Sequence, residues 1–325
     1  GVFINFPGGT GAPVVSTKAW SASPAVNYAY EGTAAISDNN GDLIAWSNGR
    51  RFWKADGGDG IEVADNLKAG NEGGSVGERS SAVQGIVTVR HPSIPENIFV
   101  FTSDDALTGT DLGLNYSVYD IDDETMTNPI RLGNDTGGTY RTTEQIDAGF
   151  HANGVDIWVV VRESGRNTKN NFRNFYSYLI TCDGLNETPI KSNQVVPEWG
   201  HIFGDGHHEE IAWANDFERG ALKVSWDGTK VATCNEINGT DRDESVMVFN
   251  FDNTTGLLSN CKPITGIAND YGWNNPPAEM HTNYDLEWAP DSKGLYVAKS
   301  SGRLHWFNTE AGTAEDIYNS FKNVA

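Results

Sequence analysis

The chain has 325 residues, 38% hydrophobic and 11% aromatic, enough to bury a sizeable core, so disordered and fibrous classes are excluded. Lysine and arginine total 23 against 44 aspartates and glutamates, a formal charge of −21, and such a surface repels phosphate backbones and anionic headgroups, which argues against nucleic-acid partners. No apolar run reaches the roughly 18 to 20 residues of a membrane span, and three cysteines (Cys182, Cys234, Cys261) allow at most one intrachain bridge.

Thirty-six glycines and abundant Asn, Asp, Ser and Thr are spread along the whole length, without long helix-period segments, which predicts an all-β chain of short strands joined by turns. In chain order, "GTAAISDNNGDLIAWSNG" (32–49) sets a polar run between two strand-like stretches. "IVTVRHPSIPENIFVFTS" with "LNYSVYDIDDET" as outer strand forms a second copy of this grammar, and "HANGVDIWVVVRES" with "FYSYLITCDGLNETP" a third. "LKVSWDGTKVATCNE" with "VMVFNFDNTTGLLSN" and "LEWAPDSKGLYVAKS" with "LHWFNTEAGT" make the fourth and fifth. In these two a Trp precedes an Asp-containing turn, Asp227-Gly228 or Asp291-Ser292.

Turn-to-turn distances of roughly 55 to 75 residues exceed those of a minimal propeller blade, so loops are inserted. The expected architecture is one β-propeller over residues 1–325 with four-stranded antiparallel blades, seven in number, with five to eight admissible. Blades buried on both faces account for large aromatics at strand positions such as Trp158, Trp226, Trp288 and Trp306. A two-layer sandwich is the structural alternative. The chain begins at Gly1, without Met or a signal pattern, and is expected to be a mature chain or a piece excised from a longer one.

The segments from "EGTAAISDNNGDLIAWSNGRRFW" through "HANGVDIWVVVRES" to "LEWAPDSKGLYV" resemble the propeller-like, WD-repeat-like N-terminal region of large Bacteroidetes surface proteins associated with gliding motility and type IX secretion. The resemblance runs from about residue 31 to residue 307 and implies a fold and an extracellular, cell-surface setting, not a reaction. The stretch 198–220, "EWGHIFGDGHHEEIAWANDFERG", departs from it in length and in histidine content, and residues 1–325 hold no sorting module. A phage virion is therefore the alternative setting.

The chemistry-bearing stretches have two readings each. Asp38, Asn40 and Asp42 alternate around Gly41 like the start of a calcium loop, but no Glu follows at the required spacing, and the same letters make a tight hairpin turn. Asp120, Asp122 and Asp123 with Glu124, and Asp104, Asp105 and Asp111, are either calcium ligands or solvated turn residues. His201, Asp205, His207, His208, Glu209 and Glu210 form a zinc candidate, with His281 to close it, or an exposed polar loop. His151 in "HANGVDIW" reads as a tie between blades ahead of a catalytic histidine.

No nucleophile elbow, no cysteine beside a histidine and no phosphate loop is present, and no carboxylate pair is singled out for glycosidic cleavage. Trp199, His201, His207, His208, Trp213, Tyr271 and Trp273 are the expected binding residues, on inserted loops at 55–80, 104–111, 198–220 and 270–283. The expected function is non-enzymatic adhesion to a surface polysaccharide or a protein, with calcium as the one cofactor in view. A structural virion or assembly component is one alternative, and a calcium-dependent propeller hydrolase or lactonase is the other. The last requires carboxylates from several blades to converge on the axis.

Overall fold

The computed structural model describes residues 2–5, 14–17, 32–57, 60–68, 82–103, 112–164, 174–193, 195, 219–235, 246–264, 283–299 and 302–324. A hairpin of β1 (Val2–Asn5) and β2 (Val14–Thr17) stands as its own two-stranded sheet.

Five antiparallel sheets follow, each a meander in chain order. Blade one consists of β3 (Ala34–Ser37), β4 (Leu43–Ser47), β5 (Phe52–Lys54) and β6 (Ile61–Ala64). Blade two consists of β7 (Ile86–Arg90), β8 (Asn97–Thr102) and β9 (Asn115–Asp120), with β10 (Thr125–Met126) and β11 (Ile130–Arg131) both paired to β9. Blade three consists of β12 (Thr142–Phe150), β13 (Ile157–Glu163) and β14 (Phe175–Thr181), with β15 (Gly184–Leu185) and β16 (Ile190–Ser192) sharing its outer edge.

Blade four consists of β17 (Leu222–Val224), β18 (Lys230–Cys234), β19 (Val246–Asp252) and β20 (Leu257–Pro263). Blade five consists of β21 (Asn283–Trp288), β22 (Gly294–Lys299), β23 (Leu304–Asn308) and, after a short helix, β24 (Lys322–Asn323). That helix, α1 (Ala314–Asn319), starts with a capping box in which Thr313 and Asp316 satisfy each other's backbone N–H groups.

The first strands of successive blades, β3, β7, β12, β17 and β21, are neighbours in that order, which makes them the inner strands of a propeller. The core lies between blades. Ile86, Ile98 and Tyr119 pack with Phe52 of blade one, while Phe99 and Phe101 of blade two pack with Val159 and Tyr178 of blade three. Trp158 and Phe175 meet Val231 and Phe249 of blade four, and Ala232 and Val248 meet Leu286 and Phe307 of blade five. Each inner blade is thus covered on both faces, which a two-layer sandwich does not do.

The chain is an all-β propeller with four-stranded antiparallel blades, of which five are formed among the described residues. Trp158 and Trp288 are buried as the blade pattern requires, and Trp306 is half-buried. Trp226 departs from the expectation: it is 69% exposed, because β17 ends at Val224 and the tryptophan stands in the following turn. The three cysteines carry no disulfide, and Cys234 alone is buried. Among the described residues no helix is long and apolar enough to cross a membrane.

Candidate functional site

The first-to-second-strand turns tie neighbouring blades together. In the turn after β12, the His151 ring accepts the Asn153 N–H at Nδ1 (3.1 Å), so Nε2 carries the proton and donates to the Thr254 carbonyl of blade four at 3.2 Å. The Trp158 indole donates to the adjacent Asn253 carbonyl at 2.8 Å. His151 is therefore a tie between blades. His91 of blade two is built alike: it is buried, its Nδ1 faces the N–H groups of Ser93 and Ile94 at 3.2 Å, and burial lowers its pKa.

An inner strand pairs on one side only, so every second N–H on its axial edge needs another acceptor. Side chains supply it. Gln84 Oε1 accepts from Leu222 N at 2.8 Å, and Asp147 Oδ2 of β12 accepts from Val224 N at 2.9 Å. On β21, Asp285 accepts from Leu286 N at 2.8 Å and Glu287 from Trp288 N at 3.0 Å. The same requirement that keeps these strand edges satisfied lines them with carboxylates.

One lysine stands among them. Lys223, between Leu222 and Val224 on β17, places Nζ 3.7 Å from Glu287 Oε2. Burial pulls its ammonium pKa down, but the charges of Asp147, Glu287 and Asp285 outweigh that and leave it above the ordinary lysine value. Asp147 shows the opposite balance: burial pushes its carboxyl up to about 6, against the pull of Lys223 and of the Val224 and Ala148 N–H groups. Three successive inner strands, β12, β17 and β21, thus bring together a carboxyl that titrates near neutrality and an ammonium held charged. Gly149 allows the close approach, since a Cβ there would lie 2.5 Å from Val224 Cγ1.

Of the residues expected from sequence, those that are described take no part in this cluster. Trp199, His201, His207, His208, Trp213, Tyr271 and Trp273, with Asp205, Glu209, Glu210 and His281, lie outside the described residues, as do Asp104, Asp105 and Asp111. The Asp38 carboxylate accepts from Asn40 N and Asp42 N at 2.8 Å, closing the β3–β4 hairpin, and the Asp42 N–H in particular holds its pKa below the usual carboxylate range. Asp120 accepts from Asp122 N and Asp123 N at 3.0 Å in the β9–β10 turn. Among the described residues no three His, Cys, Asp or Glu side chains stand close enough to hold one metal ion. Asp147, Lys223, Asp285 and Glu287 were not singled out by sequence; the usable signal was a charge placed between apolar residues in "LKVSW" and "DLEW".

No protein-family model matches the chain, and no curated protein matches it. Among solved structures it is similar to Kluyveromyces lactis Hsv2p, at 13% identity and a TM-score of 0.37 over 88% of this chain and 61% of that one. It is also similar to the Pseudomonas aeruginosa periplasmic gluconolactonase, at 15% and 0.44 over 86% and 62%. A luciferin-regenerating enzyme matches at 11% and 0.44 over 86% and 72%. The chain spans less than two thirds of the length of the first two. Two of the three are enzymes by name, and on that finding the expectation of a non-enzymatic adhesion module is corrected. At such identities and scores the likeness assigns no reaction, and the chemistry has to come from the side chains described above.

Proposed function

We propose that the chain is a hydrolytic propeller enzyme acting on a neutral carboxylic ester or lactone at the axial edge of blades three to five. The observation that carries this reading is the meeting of Asp147 and Lys223 across two inner strands, fixed by the Val224 N–H bond to Asp147. A carboxyl with a pKa of about 6 is ionised at neutral pH and still basic enough to take a proton from water, which is the requirement for a general base.

In this reading Asp147 removes a proton as water attacks the substrate carbonyl carbon. The Lys223 ammonium, kept protonated by its carboxylate neighbours, stabilises the charge that develops on the carbonyl oxygen. Collapse of the tetrahedral species breaks the carbon–oxygen bond of the ester, and protonated Asp147 returns its proton to the departing alkoxide. Glu287 positions the lysine: one of its oxygens is fixed on the Trp288 N–H and the other faces Nζ.

The test is a pH-stat screen of neutral lactones and esters. Turnover is expected, with kcat/KM rising through about pH 6, and a loss of about 100-fold or more in Asp147→Asn. Lack of turnover across the panel, or full activity in Asp147→Asn, overturns the reading.

A further inference from the structure

From the placement of Trp226 we infer that this site takes a substrate built on a neutral, hydroxyl-bearing ring, and that Trp226 is the platform on which the ring stacks. The inference rests on the hydrolytic reading for its reaction but not for its binding.

The five first-to-second-strand turns can be aligned at the residue whose N–H opens each, those at His151, Ser225 and Ala289 having the same length. They open at Asp38, His91, His151, Ser225 and Ala289, whose N–H groups bond to Asp42, Asn97, Asp156, Lys230 and Gly294. The next residue in each is Asn39, Pro92, Ala152, Trp226 and Pro290. Four turns close with a small or turn-forming residue at this position. Turn geometry therefore does not require the indole of blade four, and neither does packing, since it is 69% exposed.

The exposed ring is nevertheless held still. Its Nε1–H donates to the Trp288 carbonyl at 3.2 Å. The turn beneath it is fixed by Asp227, whose Oδ1 takes the Ser225 and Thr229 hydroxyls at 2.7 and 2.8 Å and whose N–H donates to Ser292 Oγ at 3.0 Å. An immobile aromatic face open to solvent costs a ligand little ordering entropy to use.

The surroundings select the ligand. Trp226 lies three residues beyond Lys223, and its hydrogen bond anchors it one residue beyond Glu287, so the ring stands at the rim of the charged cluster. Three carboxylates against one ammonium, on a chain of formal charge −21, disfavour anions. Carboxylates accept hydroxyl hydrogen bonds, Lys223 donates, and the C–H face of a sugar-like ring fits an indole.

The probe is a set of neutral monosaccharides and disaccharides, with glucuronate as the anionic control, titrated into Asp147→Asn protein and read by saturation-transfer NMR and calorimetry. Saturable binding of at least one neutral sugar is expected, about tenfold weaker or more in Trp226→Ala, within about threefold in Trp226→Phe, and weaker for glucuronate. Equal thermal midpoints in the two Trp226 variants show that folding is not the cause. Failure of every neutral sugar to bind, or equal binding by Trp226→Ala, overturns the inference. Sugar binding without any ester hydrolysis upholds it and discards the reaction assigned above.

Discussion

The indole of Trp288 donates to the Lys223 carbonyl at 3.0 Å, while the indole of Trp226 donates to the Trp288 carbonyl at 3.2 Å. The two rings thus link blades four and five across their inner strands, yet they are not equivalent. Ser225 and Ala289 open corresponding turns, which superposes Trp288 on Val224 and Trp226 on Pro290. A buried indole therefore bonds the strand that carries Lys223, and an exposed one, three residues further along, bonds back to blade five.

Trp288→Phe keeps most of the buried ring and removes the donor to Lys223 O. The expected loss is about 0.5–1.5 kcal/mol of unfolding free energy, the net worth of one hydrogen bond, since the Lys223 carbonyl keeps its place opposite Ala232 in the β17–β18 ladder. Activity should fall more than stability alone explains, because Lys223 loses its backbone anchor. Denaturant melts and kcat/KM measured on the same preparation check both parts, and unchanged kcat/KM would remove the indole from any role in placing the lysine.

Asp147→Asn separates stability from activity. The folded carboxyl titrates at about 6, above the ordinary 3.8, so its contribution is fully present below about pH 4 and is lost as pH rises through about 6. Asparagine keeps an acceptor for the Val224 N–H and carries no charge to desolvate. The variant is expected to gain up to about 3 kcal/mol over wild type as pH passes from 4 to 7, while hydrolysis disappears. Thermal melts of both proteins across that range test this, and parallel curves would contradict the raised pKa.

How much of this was legible in sequence depends on which edge of a blade is considered. The middle strands β8, β13 and β19 announce themselves as apolar runs, since both of their faces are buried against neighbouring blades. β12 does not: "TTEQIDAGF" mixes Glu144, Gln145, Asp147 and Gly149 into a nine-residue strand, because part of it faces the axis and approaches β17 closely. The strand bearing the candidate base is thus the one whose pattern is least strand-like. Sequence also equated Trp226 with Trp288, since an Asp-containing turn follows each, and the hydrogen-bond register separates them. The Asp38 turn was readable because its bonds close within a few residues through familiar turn chemistry, whereas the His151 bond to the Thr254 carbonyl joins two blades and has no local signal.

His91 gives a pH response of opposite sign to that of Asp147. Burial lowers its folded pKa below the 6.5 of the free side chain, and its Nδ1 faces two backbone N–H groups that require the neutral ring. Its contribution is present above about pH 6.5 and is lost as pH falls through the lowered folded value. His91→Asn should be less stable than wild type at pH 7.5 and converge on it toward pH 5. A constant difference across that range would show that the ring is not the group being titrated.

Gly149→Ala tests whether the close approach of β12 and β17 is what assembles the site. A methyl group there meets Val224 Cγ1 at 2.5 Å, a separation no relaxed pair of carbons adopts, so the strands must part. Overpacking of this kind costs about 1–3 kcal/mol. Because the Val224 N–H to Asp147 bond spans the same gap, hydrolysis should fall together with stability. Val224→Ala in the same chain vacates the space the new methyl needs, so the double variant is expected to recover kcat/KM beyond the sum of the two single effects. Strict additivity in a double-mutant cycle would mean that the distance between these strands does not govern the reaction, and that Asp147 acts, if it acts, without its partner strand.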